Sequence, residues 1–296
     1  MKTMLFKHIF MKIRQNYKRF LSLLFMALLG IGFYAGIEAC SPDMLKTLDK
    51  FYDDNDVYDI MIISNLGLNN KDVDSLSEID GIDKVIGSYE KDTYLKINNE
   101  QYVIKVLGLS DNINKVYLEQ GRLPQNNQEI VVEKKMVLDN NLSIGDYINI
   151  LGGDKKIVGT VISPLYFSTE RPSTNLGSGK VNYYAYTLED VLKSDYYSVV
   201  YVTINDTVDM LTNSKEYKDS INDFVKKINV VKKEREDEKY NELYDISINE
   251  NELVKPHWYL YDRLDNNSYK ELINASDNIK NLGNVFPLIF SMPHFA

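Results

Sequence analysis

The chain has 296 residues, room for one large or two small domains, and carries 34 Lys and Arg against 43 Asp and Glu, a net charge of −9. That sign excludes a nucleic-acid binder, which needs a basic face toward the phosphates. A single cysteine, Cys40, excludes an intrachain disulfide and a Cys metal cluster. The three histidines, His8, His257 and His294, lie far apart in sequence and offer little to a metal or catalytic site.

The first element in chain order is apolar. Phe20 to Ile37 contains no charge. As a helix, the twenty residues Phe20 to Ala39 would cover roughly 30 Å, the depth of a bilayer's hydrocarbon core, with every backbone polar group bonded internally. Lys2, Lys7, Lys12, Arg14, Lys18 and Arg19 precede it with no acid among them. Positive flanks stay in the cytoplasm, so the remainder, 28 basic against 43 acidic residues and net −15, is expected outside. The run is too long for an ordinary cleaved signal. Ile37-Glu38-Ala39-Cys40 is a poor lipoprotein site because of Glu38. Gly32 and Gly36 form a Gly-x-x-x-Gly face of the kind that seats another helix closely.

Ser41-Pro42-Asp43 reads as a fresh helix start, so a second helix is expected from about Pro42 to Tyr52, kinked from the first. Asp53-Asp54-Asn55-Asp56 would end it as an acidic turn, since a calcium loop needs alternating ligands, a central Gly and a distal Glu. Val57 to Ile63 reads as a buried strand, Asn70 to Ile79 as a helix, and Val85-Ile86-Gly87 as a second strand. Thr93 to Ile97 and Tyr102 to Leu109 read as a hairpin joined at Asn98-Asn99-Glu100. This order predicts a sheet with a helix on one face.

From Asn114 the sequence is loop-like. Strands are expected at Glu129 to Glu133, Tyr147 to Leu151 and Lys156 to Ser163, with a short helix over Lys134 to Asp139. Their short spacing predicts a compact antiparallel subdomain. Tyr166 to Val181 reads as irregular. Gly177-Ser178-Gly179-Lys180 fails as a phosphate loop because Thr174 and Val181 occupy the positions that need Gly and Ser or Thr. Thr187-Leu188-Glu189-Asp190 resembles a capped start to a short helix, and Tyr196 to Ile204 reads as a strand.

Lys215 to Tyr244 is the long helical stretch. Tyr217, Ile221, Phe224, Ile228 and Val231 make a seam that packs on a sheet. Beyond it Lys232 to Lys239 is all charged, which predicts a solvated end or an arm projecting to a partner. Trp258 to Asp262 follows as a strand. Ser268-Tyr269-Lys270-Glu271 reads as a capping box opening a helix with Leu272, Ile273, Ile279 and Leu282 on its apolar side, closed by Gly283. Residues 284–296 read as the start of a truncated second membrane helix.

The order of these segments resembles the FtsX/MacB-like ABC transporter permeases. The likeness rests on Val57-Tyr58-Asp59-Ile60, Asp72-Val73, and Gly81-Ile82-Asp83-Lys84-Val85. It continues through Gly121-Arg122-Leu123-Pro124 before Glu129-Ile130-Val131-Val132, then Ile144-Gly145-Asp146 and Ile157-Val158-Gly159-Thr160-Val161. It ends with Lys255-Pro256-His257-Trp258-Tyr259 and Leu282-Gly283-Asn284-Val285-Phe286-Pro287-Leu288. The resemblance implies an α+β fold: one N-terminal transmembrane helix, then a MacB-like extracytoplasmic domain of mixed sheet and helices with a small β-rich distal subdomain. The divisions expected are 1–19 cytoplasmic, 20–40 transmembrane, 41–283 extracytoplasmic and 284–296 the second helix. The membrane-proximal part would be about Val57–Leu109 with the terminal helices, and the distal part the middle strands.

The function implied is that of a permease subunit in the cell membrane, serving export or mechanotransmission. Its partners would be a separate cytoplasmic ATP-binding subunit, a second permease subunit as homo- or heterodimer, and an envelope protein. It would be no enzyme itself. No catalytic, cofactor-binding or metal residue is singled out, no cofactor is implied, and the ligand is unknown. Members of the family continue through three more membrane helices where this pattern stops at Ser291 to Ala296, so a fragment is expected. The alternative is a single-span anchored sensor or binding module without ATP coupling, predicting a concave pocket lined by some of the 22 tyrosines.

Overall fold

The computed structural model describes residues 2–208, 210–246 and 254–291. In chain order its elements are helices α1 (Lys2–Gln15) and α2 (Tyr17–Asp54), strand β1 (Ile60–Ser64), helix α3 (Asn70–Ser77), and strands β2 (Ile82–Ser88), β3 (Glu90–Ile97), β4 (Glu100–Gly108), β5 (Tyr117–Gly121) and β6 (Glu129–Glu133). Helix α4 (Lys134–Asp139) precedes β7 (Tyr147–Ile150), β8 (Gly153–Ile162), β9 (Tyr183–Thr187) and β10 (Val199–Ile204). Helix α5 (Lys215–Ile246), β11 (Trp258–Asp262) and helix α6 (Asn267–Ser291) complete the chain. Two compact units result, Met1–Thr47 with Leu272–Ala296, and Leu48–Glu271.

In the first unit the apolar stretch of α2 is bare of protein, with Leu23 60% and Leu29 72% exposed. Among the described residues α2 is the one helix long and apolar enough to cross a membrane. The fresh start expected at Ser41 is not made: α2 runs through Pro42 unbroken. Ser41 does not cap. Its hydroxyl lies 2.7 Å from that of Ser276 on α6, both buried. Gly283 does not close α6 but sits inside it, where a β-carbon would come 2.8 Å from Ile37 Cγ2. Close packing on small residues thus overrides local stop and start signals. Gly32 and Gly36 have open space around them. The helix covers the backbone of the expected second membrane segment as far as Ser291, and residues 292–296 of that segment lie outside the described residues.

The second unit holds two sheets. The first, ordered β11-β1-β10-β2, is antiparallel throughout. Alternation sends Ile60, Ile62, Val200 and Val202 to one face, where the α5 seam of Tyr217, Ile221, Phe224 and Ile228 covers them. Each such fully buried aliphatic side chain contributes about 1.5–3 kcal/mol. Helix α3 starts at Asn69, whose side chain accepts from Asp72 N–H while Asp72 accepts from Asn69 N–H. Past the seam one side of α5 still docks. Arg235 is buried against Asp72 at 2.7 Å, and Glu236 accepts Trp258 N–H at 2.6 Å. Within the charged run Arg235 and Glu236 are docking groups, while Lys233, Glu234, Asp237 and Glu238 form the expected solvated face.

The second sheet, ordered β3-β4-β9-β6-β8-β5 with β7 also on β8, is mixed, not antiparallel: β4 and β9 are parallel, as are β6 and β8. The hairpin turns through Asn98 and Asn99, both with positive φ (50° and 68°), which asparagine tolerates. The hairpin belongs to this sheet, whereas β10 and β11 from late in the chain complete the first. The expected membrane-proximal part, Val57 to Leu109, is therefore split between sheets. Strands β5 and β9 were not expected. Thr187 ends β9 with its hydroxyl donating to Glu129 C=O, so it caps no helix. Strand β1 begins only at Ile60, because Val57 N–H turns back to Tyr52 C=O.

Candidate functional site

Two places in the Leu48–Glu271 unit concentrate polar chemistry in the interior. The first gathers the last turns of α2, the approach to β1, the first turn of α5 and the start of α6. Arg263 follows β11 in a single 3-10 turn held by reciprocal Asp262 and Asp265 bonds, and it is 5% exposed. Its Nε donates to Tyr58 C=O at 2.9 Å and its Nη2 to Val57 C=O at 2.7 Å. Nη2 also lies 3.4 Å from Asp59 Oδ1, and Nη1 3.4 Å from Asp53 Oδ1. Only a planar fork of donors serves two carbonyls and two carboxylates at once.

Asp59, 1% exposed, is otherwise fully used. It accepts from Ile204 N–H at 2.8 Å, Thr207 Oγ1 at 2.9 Å and Tyr217 OH at 3.0 Å. The Tyr52 and Tyr217 rings flank the guanidinium at 6.0 and 5.7 Å. Burial alone would push the Arg263 cation toward neutrality, but Asp59, Tyr217 and Asp53 keep its pKa above the ordinary value. Asp53 is raised by burial, which Arg263 offsets only in part. One helical turn earlier, Asp49 is also raised by burial, against Thr212 and a hydrogen bond from Tyr269 OH at 3.2 Å.

The start of α6 is built differently from its sequence signature. Asn266 caps it, accepting from Ser268 N–H at 2.8 Å and Tyr269 N–H at 3.3 Å. Ser268 and Glu271, the expected capping box, bind the 165–169 loop instead. Ser268 Oγ accepts Ser168 N–H at 3.0 Å, and Glu271 takes Thr169 N–H at 3.0 Å as well as the Ser168 hydroxyl.

The second place is a cleft of about 340 Å³ between the two sheets. Its floor is the face of the first sheet opposite α5. Register sets Ile86, Tyr201, Met61 and Tyr261 in one row straight across the four strands, and of these Met61 and Tyr261 line the cleft. Tyr58 stacks on Tyr201, ring centroids 5.2 Å apart and 25° from parallel. Tyr166, Glu170 and Glu90 form the opposing wall.

Elsewhere the acidic turn is neutralised residue by residue: Lys50 lies 2.9 Å from Asp54, and Lys84 and Lys115 lie 3.1 and 2.5 Å from Asp56. Burial works against the Asp56 charge, yet the two lysines hold its carboxyl below the usual range. The amides of the 174–180 loop are spent on its own turns and on Tyr94, whose hydroxyl accepts from Gly177 N–H at 3.0 Å. Among the described residues no group of three or more His, Cys, Asp or Glu stands ready for a metal. Sequence reasoning did not single out Arg263, and it expected a tyrosine-lined pocket without naming the residues that line it. The available signal was Asp59, a lone acid inside the apolar run Val57 to Ile63; nothing in the sequence pairs it with Arg263, 204 positions on.

No protein-family model matches the chain, and the search of curated proteins returns no match. Solved structures do match. Three of them are an extracellular domain of an ABC-type transporter, a periplasmic region of MacB and a domain of a permease protein. The extracellular domain of the ABC-type transporter YknZ from Gram-positive bacteria is 18% identical, the match covering 55% of this chain and 87% of that one, at a TM-score of 0.36. The periplasmic region of MacB from Actinobacillus actinomycetemcomitans is 15% identical, over 77% and 92%, at 0.39. A domain described as that of a permease protein from Porphyromonas gingivalis is 10% identical, over 74% and 97%, at 0.35. The mixed sheet-and-helix domain after an apolar N-terminal helix accords with the expected α+β class.

Proposed function

We propose that the chain is part of a permease subunit of an ABC transporter. Its N-terminal helix crosses the cell membrane with the basic arm in the cytoplasm, and its Leu48–Glu271 domain works outside. A separate cytoplasmic ATPase drives it, and a second permease subunit completes the pair. The reading is supported by the uncharged Phe20–Ile37 run behind six basic residues, and by the ordered motifs from Val57 to Leu288. The observation that carries it is the Arg263 joint. One buried guanidinium and its tyrosine partners tie the last turns of α2 and the approach to α6 to one end of the first sheet, where β1 begins and β10 and β11 finish.

Two measurements test this. Cys40 is the sole cysteine and is exposed. A thiol reagent that cannot cross membranes is expected to label it in intact cells, and to spare a cysteine placed at Lys7 in a Cys40→Ser background. The reverse pattern rejects the orientation. Purification of the tagged protein from its own membranes should retain an ATP-binding subunit; recovery without one rejects ATP coupling. The second reading, an anchored binding module, is favoured by the tyrosine-lined cleft.

A further inference from the structure

A four-stranded antiparallel sheet with a helix on one face ordinarily turns polar residues to the other. Here the uncovered face carries Met61, Ile63, Tyr201, Tyr259 and Tyr261, and Tyr261 is still 38% exposed. The second sheet and the 165–173 loop roof only part of it, which leaves the cleft. Its charge is one-sided. Lys105 is the one cation among its lining residues, and it is pinned between Glu90 at 3.2 Å and Asp92 at 3.0 Å. Among the described residues Glu170 at the lip makes no ion pair: neighbouring Arg171 turns away to Glu133 at 2.8 Å and to the Tyr184 ring, and Lys135 and Lys180 line the hollow on its other side. Asp265 at the opposite lip meets Lys270 at 3.3 Å, an exposed pair that screens it weakly.

From the tyrosine floor and the surplus of carboxylates we infer that the cleft binds a small organic cation, a protonated amine carried on a short apolar or aromatic body. The body lies over Met61 and the rings of Tyr166 and Tyr261, and the ammonium sits toward Glu170. Tyrosine faces attract a desolvated cation through their quadrupole, and the carboxylate adds a counter-charge. An anionic ligand meets no available cation. A neutral one forgoes the counter-charge of Glu170, which stays solvated. The inference goes beyond the permease reading and does not depend on ATP coupling.

The test uses the full chain in lipid nanodiscs and calorimetric titration with three isosteric probes: phenethylamine, 2-phenylethanol and 3-phenylpropionate. Phenethylamine is expected to bind about tenfold or more tightly than either other probe. Glu170→Gln should weaken the amine several-fold and leave 2-phenylethanol unchanged. Tyr261→Leu should weaken it, whereas Tyr261→Phe, which keeps the ring, should not. Unchanged Trp258 fluorescence confirms that each variant is folded. Equal binding of the three probes, absence of amine binding at about 10 mM, the scale of the weakest specific sites, or indifference to both Glu170→Gln and Tyr261→Leu overturns the assignment. None of these results bears on whether an ATPase co-purifies, so the two readings fail separately.

Discussion

Arg263→Met removes the cation of the buried joint while keeping a side chain of similar length. Three losses follow. The carbonyls of Val57 and Tyr58, bonded at 2.7 and 2.9 Å, lose their donors, and Asp59, 1% exposed, loses its counter-ion. An unsatisfied buried acceptor costs about 1 kcal/mol or more, and a buried pair broken from one side about 3–5 kcal/mol in all. Asp59 keeps three donors, Ile204 N–H, Thr207 Oγ1 and Tyr217 OH, which places the loss near the lower end, about 3 kcal/mol. Trp258, the sole tryptophan and 3% exposed in the same core, reports the transition without a label. For a unit of this size the midpoint should fall by roughly 6–12 °C. Adding Asp59→Asn should cost less than the sum of the two single changes, because one interaction is counted in both. A loss below about 1 kcal/mol, the range of an exposed pair, would refute the joint as an energetic centre.

Three further outcomes are expected. Asp49 is raised by burial, so it binds its proton more tightly folded than unfolded. Its contribution is present below the unfolded carboxylate value and is lost as pH rises through the folded one, so Asp49→Asn should flatten the fall in unfolding free energy as pH rises above the ordinary carboxylate range; an unchanged slope contradicts the buried placement. Arg235→Met should cost about 3 kcal/mol and speed hydrogen exchange in α3, since it strands Asp72, which also caps that helix; unaltered exchange there would mean that the far end of α5 is not docked. Gly159→Ala should destabilise by about 1–3 kcal/mol, because its β-carbon would lie 2.6 Å from Gln120 C=O and 2.7 Å from Arg122 C=O, backbone atoms that cannot swing aside. A neutral result in urea unfolding would contradict the close approach of β5 to β8.

Much of the fold was legible because periodicity reports burial directly. The seam from Tyr217 to Ile228 named the face that packs, and Asn98-Asn99 named a turn needing positive φ. Signals failed where a longer-range partner outcompeted them. Ser41 pairs with Ser276, and Ser268 and Glu271 serve the 165–169 loop. Strand β9, Tyr183–Thr187, is buried at every position, so it lacks the alternation by which a strand is read. Strand β5, at the sheet's edge, is largely exposed and lacks it for the opposite reason.

The sequence by itself determined the long apolar N-terminal helix, its charge asymmetry and the class of most elements, because chain-local physics sets hydropathy, caps and turn conformations. Tertiary structure alone decided which strands share a sheet, and it brought Arg263 to Asp59 and three tyrosines to one cleft. Those pairings join residues distant in the chain, 79 positions for Ile104 and Tyr183 and 204 for Asp59 and Arg263, and the free energy that selects them comes from desolvating charge and aromatic surface together, which no local pattern records.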